Sequence, residues 1–87
     1  MSTTTKYEAV LREHGFENWK ALGKHLFEEI PQAEDGSLEA DQICGYIQYS
    51  FGLPEDRARE MHVALVRIGI IREAGEKDRY QLHSSLK

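Results

Sequence analysis

The chain is poor in the residues that would fix its chemistry at once. One cysteine, Cys44, stands in 87 residues. It excludes an internal disulfide framework and a cysteine-built zinc site. Only two prolines, Pro31 and Pro54, punctuate the sequence, and no repeat or low-complexity segment is present. No apolar run exceeds a few residues, which leaves nothing to span a membrane. The first six residues, Met-Ser-Thr-Thr-Thr-Lys, have no apolar core behind them, so a secretory signal is not expected. With neither signal nor disulfide, the expected compartment is the cytoplasm. A length of 87 residues allows one domain, most of it committed to building a core, so a self-contained enzyme is not expected.

Bases are scarce in the first two thirds. Residues 1–56 carry four, Lys6, Arg12, Lys20 and Lys24, against eleven acids. Residues 57–87 reverse the balance, with seven bases against Glu60, Glu73, Glu76 and Asp78. The whole chain is at −4. A dedicated nonspecific nucleic-acid binder is usually basic throughout, so only the last third could face phosphate. The acids Glu28, Glu29, Glu34, Asp35, Glu39 and Asp41 read as a solvated, solubilising surface.

Helical periodicity is the main structural signal. Residues 1–4 read as a frayed tail. Thr5 and Glu8 have capping-box spacing, and Tyr7, Val10 and Leu11 give a helix over 5–14 one apolar face, ended by Gly15. Phe16, Trp19, Leu22, Leu26, Phe27 and Ile30 form the broadest stripe, with Asn18 as its N-cap and Pro31 as its stop. Gly23 lies inside this helix at a cost of about 1 kcal/mol against alanine. Close approach by another backbone would explain it. Residues 31–37 form a loop with an Asp-Gly turn. Ser37 is placed to cap a helix from Leu38 to Tyr49, burying Ile43, Cys44 and Ile47. Gly52 breaks the chain, and Pro54 suits the first position of a helix over 54–68, with Glu55 and Asp56 at its positive end. Ala58, Met61, Ala64, Leu65 and Ile68 would be its core. Gly69 fits a left-handed cap. The period then drops to two: Ile71, Tyr80 and Leu82 alternate with polar residues around a turn-rich tip, as in a β-hairpin. Residues 84–87 read as a tail. The fold class expected is mainly α with a small β-hairpin.

This order of elements resembles the winged helix-turn-helix superfamily over residues 16–83, with 5–14 as an added helix. Asp35-Gly36-Ser37-Leu38 is similar to the short first strand. Phe51-Gly52-Leu53-Pro54 is similar to the turn before the recognition helix. Leu65 to Ile71 resembles the end of that helix leading through glycine into the wing, and Arg79-Tyr80-Gln81-Leu82 resembles the returning wing strand. The resemblance implies duplex DNA as partner, through the helix 54–68 and the wing 72–79, as in a small transcriptional regulator. Pairing of two copies into a homodimer would be the usual way for so small a module to gain affinity.

The residues themselves leave two readings open. Arg57, Arg59, Arg67, Arg72, Lys77 and Arg79 are the candidate DNA contacts. Asp56, Glu60, Val63 and Val66, expected on the same outward helix face, suit a protein partner instead, as in an adaptor or an acidic inhibitor. No catalytic residue, cofactor or metal site is expected. His25 has Glu28 and Glu29 nearby but no second histidine at ligand spacing, and reads as a surface residue. His14, His62 and His83 are scattered. Cys44 lies on an apolar helix side, and the glycines form no phosphate-binding loop.

Overall fold

A computed structural model describes residues 3–86, with side chains from Thr5 onward. Among these residues the chain forms four α-helices and a three-stranded antiparallel sheet. The helices are α1 (Thr3–Glu13), α2 (Trp19–Glu29), α3 (Ala40–Phe51) and α4 (Glu55–Arg67). The strands are β1 (Leu38–Glu39), β2 (Ile71–Ala74) and β3 (Glu76–Leu82), in the order β1-β3-β2. The mainly helical reading with a C-terminal hairpin holds, and β1 adds a strand to the hairpin. No helix among the described residues is long and apolar enough to cross a membrane.

Local chemistry sets most boundaries. Asn18 caps α2, its side-chain oxygen accepting from the Ala21 N–H at 2.9 Å. α1 ends at Gly15, whose φ of 88° lets the Gly15 and Phe16 N–H groups turn back to the Arg12 and Leu11 carbonyls. Gly69 does the same for α4, with Gly69 and Ile70 donating to Val66 and Leu65. These bonds satisfy carbonyls that a helix end would otherwise leave bare.

Several expected boundaries move. Residues 1 and 2 of the expected N-terminal tail, and Lys87 of the C-terminal one, lie outside the described residues. Thr3 and Thr4 already belong to α1, so Thr5 sits inside the helix and cannot cap it. Ser84–Leu86 form a 3-10 turn, and Leu86 packs on the core instead of trailing. α3 starts two residues later than expected. Leu38 and Glu39 pair with Tyr80 and Arg79 as β1, and the cap is a reciprocal box between Glu39 and Gln42. Pro54 is the N-cap of α4, one position before its first turn.

The core gathers the expected stripes: Tyr7 and Leu11 of α1, Trp19, Leu22, Leu26 and Phe27 of α2, Ile43, Cys44, Ile47 and Phe51 of α3, and Ala58, Met61, Ala64 and Leu65 of α4. Leu38, Ile71 and Leu82 close it from the sheet. Cys44 is buried, and burial pushes its thiol pKa up. Gly23 is required by a side chain, not by a backbone: a Cβ there would collide with Cγ2 of Ile70. Ile68 is corrected outright. It lies past the last residue of α4 and is 43% exposed.

Candidate functional site

α4 presents one open face, where Asp56, Arg59, Glu60, Val63 and Arg67 line a shallow depression. These positions fall together because α4 buries Ala58, Met61 and Leu65 on its opposite side. Val66 does not join them. It is half-buried and packs on the core, so its expected outward placement is corrected.

α1 borders one flank of this face. The Tyr7 hydroxyl donates to Glu60 Oε2 at 2.9 Å, and Lys6 Nζ stands 3.4 Å from the same oxygen. The bond from Tyr7 holds the Glu60 carboxyl below its ordinary pKa, with Lys6 adding to the effect. Burial, then the Glu60 carboxylate, raises the Tyr7 phenol. Arg57 lies on this flank, close enough to Tyr7 and Glu60 to affect both, and away from the open face.

Arg59 is held by two acids. Its Nε and Nη2 donate to Glu55 Oε1 at 3.1 and 2.9 Å, and Nη2 stands 3.6 Å from Asp41 Oδ1. Beyond it a cleft of about 510 Å³ opens between the start of α3, α4 and the hairpin. Glu39, Asp41, Glu76 and Asp78 line it against Arg59, Lys77 and Arg79. Four carboxylates thus meet three cations.

Arg79 is a brace. Its Nε donates to Ser37 Oγ at 2.9 Å and its Nη1 to Glu39 Oε1 at 3.2 Å, across the β1–β3 pair. Ser37 Oγ passes the chain on to Asp35 Oδ1 at 2.6 Å, and Gln81 Nε2 donates to the Asp35 carbonyl. The two bonds from Ser37 hold the Asp35 carboxyl below its ordinary pKa. Three of the six acids read as a solvated surface, Asp35, Glu39 and Asp41, are therefore structural partners.

The six expected basic contacts do not converge on one patch. Arg59 and Arg67 share the open face of α4, and Arg59, Lys77 and Arg79 share the cleft. Arg72 pairs with Gln81 across β2–β3 and, by strand alternation with buried Ile71, lies on the sheet face turned away from the core. Arg67, Arg72 and Lys77 make no ion pair among the described residues. Arg57 makes none either, and it lies beside Tyr7. The hairpin tip is shaped for exposure: Gly75 and Asp78 have φ of 81° and 64°, and the ladder slips between Glu73 and Ala74.

His25 departs from the sequence reading, and His62, given no role there, proves buried. His25 is half-buried, its Nε2 hydrogen-bonded to the Tyr46 hydroxyl at 2.7 Å. His62 is buried, edge-on to Tyr80 with centroids 4.7 Å apart. Burial, then the charge of Arg59, lowers its pKa against an opposing pull from Asp78. Its Nε2 has no hydrogen-bond partner among the described residues, so the ring sits neutral between α4 and the hairpin. Neither Lys6 as a border of the α4 face nor Ser37 as the hub of the sheet brace was marked by any local sequence signal.

No group of histidine, cysteine and carboxylate side chains among the described residues could hold a metal ion. No known protein family, curated protein or solved structure matches the chain.

Proposed function

We propose that the chain is a winged helix-turn-helix protein that binds duplex DNA, with α4 as the helix that enters the major groove and the β2–β3 hairpin as the wing. One observation carries this reading. The depression on the open face of α4 and the cleft beside the hairpin tip adjoin at Arg59, and Arg67 in the first and Lys77 in the second make no ion pair among the described residues. A helix about 10–12 Å across fits the major groove, and a hairpin beside it reaches the adjoining backbone.

Arg67 and Lys77 are the residues to contact phosphate or base edges. Arg59 would follow by exchanging Glu55 and Asp41 for the ligand, which its half-exposed guanidinium permits. Arg72 serves at most as a flanking phosphate contact. Arg79 serves the fold. The carboxylates of the cleft make the interaction weak on arbitrary sequence and favour a site that offers cytosine amino groups to Asp56 or Asp41. Transcriptional regulation is the role this binding mode suits.

The test is fluorescence anisotropy with a labelled duplex at ~50 and ~200 mM salt. Binding that falls steeply with salt is expected, because phosphate contacts release counterions. Absence of binding at the lower salt, by a protein shown to be folded, counts against the proposal.

A second reading has its own support. Val63 is 45% exposed at the centre of the α4 face, one turn from Arg59, Glu60 and Arg67. An apolar centre with a rim of both charges suits a protein partner. Under that reading Val63→Asp abolishes a complex while Lys77→Ala leaves it intact.

A further inference from the structure

The outward face of α3 is unlike every other helical surface of this molecule. The chain is 30% charged, yet α3 has a single charged residue in twelve, Asp41, and that one leans on Arg59. Past it, the exposed face is Gln42, Gly45 and Tyr49. Tyr49 is 88% exposed, the most exposed large hydrophobic among the described residues. Gly45, one turn before it, is also exposed, has helical backbone angles, and would meet nothing within 4 Å if it carried a Cβ. Unlike Gly23, it answers no demand of this fold. It nonetheless costs the helix about 1 kcal/mol against alanine.

A knob and a hole one turn apart on one helix face are self-complementary. We propose that the chain forms a two-fold dimer in which α3 packs antiparallel on its copy, each Tyr49 ring seated over the partner's Gly45. A two-fold axis on the outward face, at the level of residue 47, achieves both contacts at once, since residues 45 and 49 are separated by about 6 Å along the helix. The missing side chain at Gly45 lets the helix axes approach toward the close end of the usual 8–10 Å range.

Charge supports the same occupant. Two copies at −4 repel, and the face that brings them together with least repulsion is the one without unpaired charge. A partner of strong charge gains nothing there. The border continues the surface: Tyr46 is half-buried and bonded to His25, and His25 stacks edge-on with Phe16 at 5.2 Å. Tyrosine-rich, charge-poor surfaces of this kind form interface centres. Gly45 and Tyr49 line neither the open face of α4 nor the cleft beside the hairpin, so the pairing stands whether or not duplex DNA is bound.

The experiment is sedimentation velocity from ~1 µM to ~1 mM, on the full chain, with Gly45→Gln and Tyr49→Ala. The sedimenting mass should rise with concentration from 10.0 kDa toward twice that value. Each variant should weaken association at least tenfold, as expected for a central aromatic anchor and its pocket. Circular dichroism should show both folded, and Gly45→Gln should melt higher than the parent in the dilute, monomeric range. A parent that stays at 10.0 kDa throughout overturns the proposal, and so does a dimer that both variants form as tightly as the parent.

Discussion

Two glycine-to-alanine substitutions, Gly23→Ala and Gly45→Ala, should move stability in opposite directions. Both glycines lie inside helices, and both replacements gain about 1 kcal/mol of helix propensity. Their surroundings differ. A Cβ at Gly45 enters open space, whereas one at Gly23 runs into Ile70 Cγ2, with Leu82 Cδ1 next at 3.6 Å. Ile70 is β-branched and stiff at χ1, so its methyl cannot swing aside freely. It is also tied at both backbone ends, donating to Leu65 and accepting from His83. Overpacking of this kind costs about 1–3 kcal/mol. The propensity gain is common to both variants, so the gap between them isolates the contact. That gap should be about 1–3 kcal/mol, or roughly 4–20 °C in Tm for a domain of this size. Urea and thermal denaturation in the dilute range would measure it. Gly45→Ala should lie above the parent and Gly23→Ala at or below it. Equal shifts would refute the close packing of α2 on Ile70, the residue before β2.

Other consequences are as direct. The lowered pKa of His62 means that the unfolded chain binds the extra proton first as pH falls. Stability is therefore full above about pH 6.5 and declines below it. His62→Leu should escape that decline, so the urea midpoint of the variant should gain on the parent between pH 7.5 and 5; a constant gap contradicts the burial. Arg67→Ala and Lys77→Ala should each weaken duplex binding and lower the salt slope by about one. Arg79→Lys should speed amide exchange in β1 and β3 by removing the double brace to Ser37 and Glu39, while Lys77→Ala leaves that exchange unchanged.

The helices and the hairpin were legible because their signals are local. A stripe at a spacing of three and four, a capping asparagine or a glycine after the last apolar residue acts within one or two turns. What escaped is set by contacts between distant segments. Lys6 and Glu60 stand 54 positions apart, and Arg79 and Glu39 stand 40 apart. Nothing in either segment names its partner. The sheet also widens the buried arc of α4. A wheel drawn for a helix with one packed side leaves His62 at the edge, where Tyr80 of β3 packs on it, and Val66 outward, although it packs on the core. Ile68 fails for the converse reason, because the helix ends before the stripe returns to it. At the candidate site, residue types were readable and availability was not. Six cations could be counted from the sequence, but only the fold separates Arg59 and Arg79, held in ion pairs, from Arg57, Arg67, Arg72 and Lys77, which form none among the described residues.

The central claim is that duplex DNA meets α4 and the hairpin tip. Amide chemical-shift mapping during titration with a short duplex tests it most directly. The account predicts the largest shifts at Asp56, Arg59, Val63 and Arg67 and at Gly75 to Asp78, with Gln42, Gly45 and Tyr49 unmoved. Shifts confined to α3, or no shifts at low salt, would contradict it.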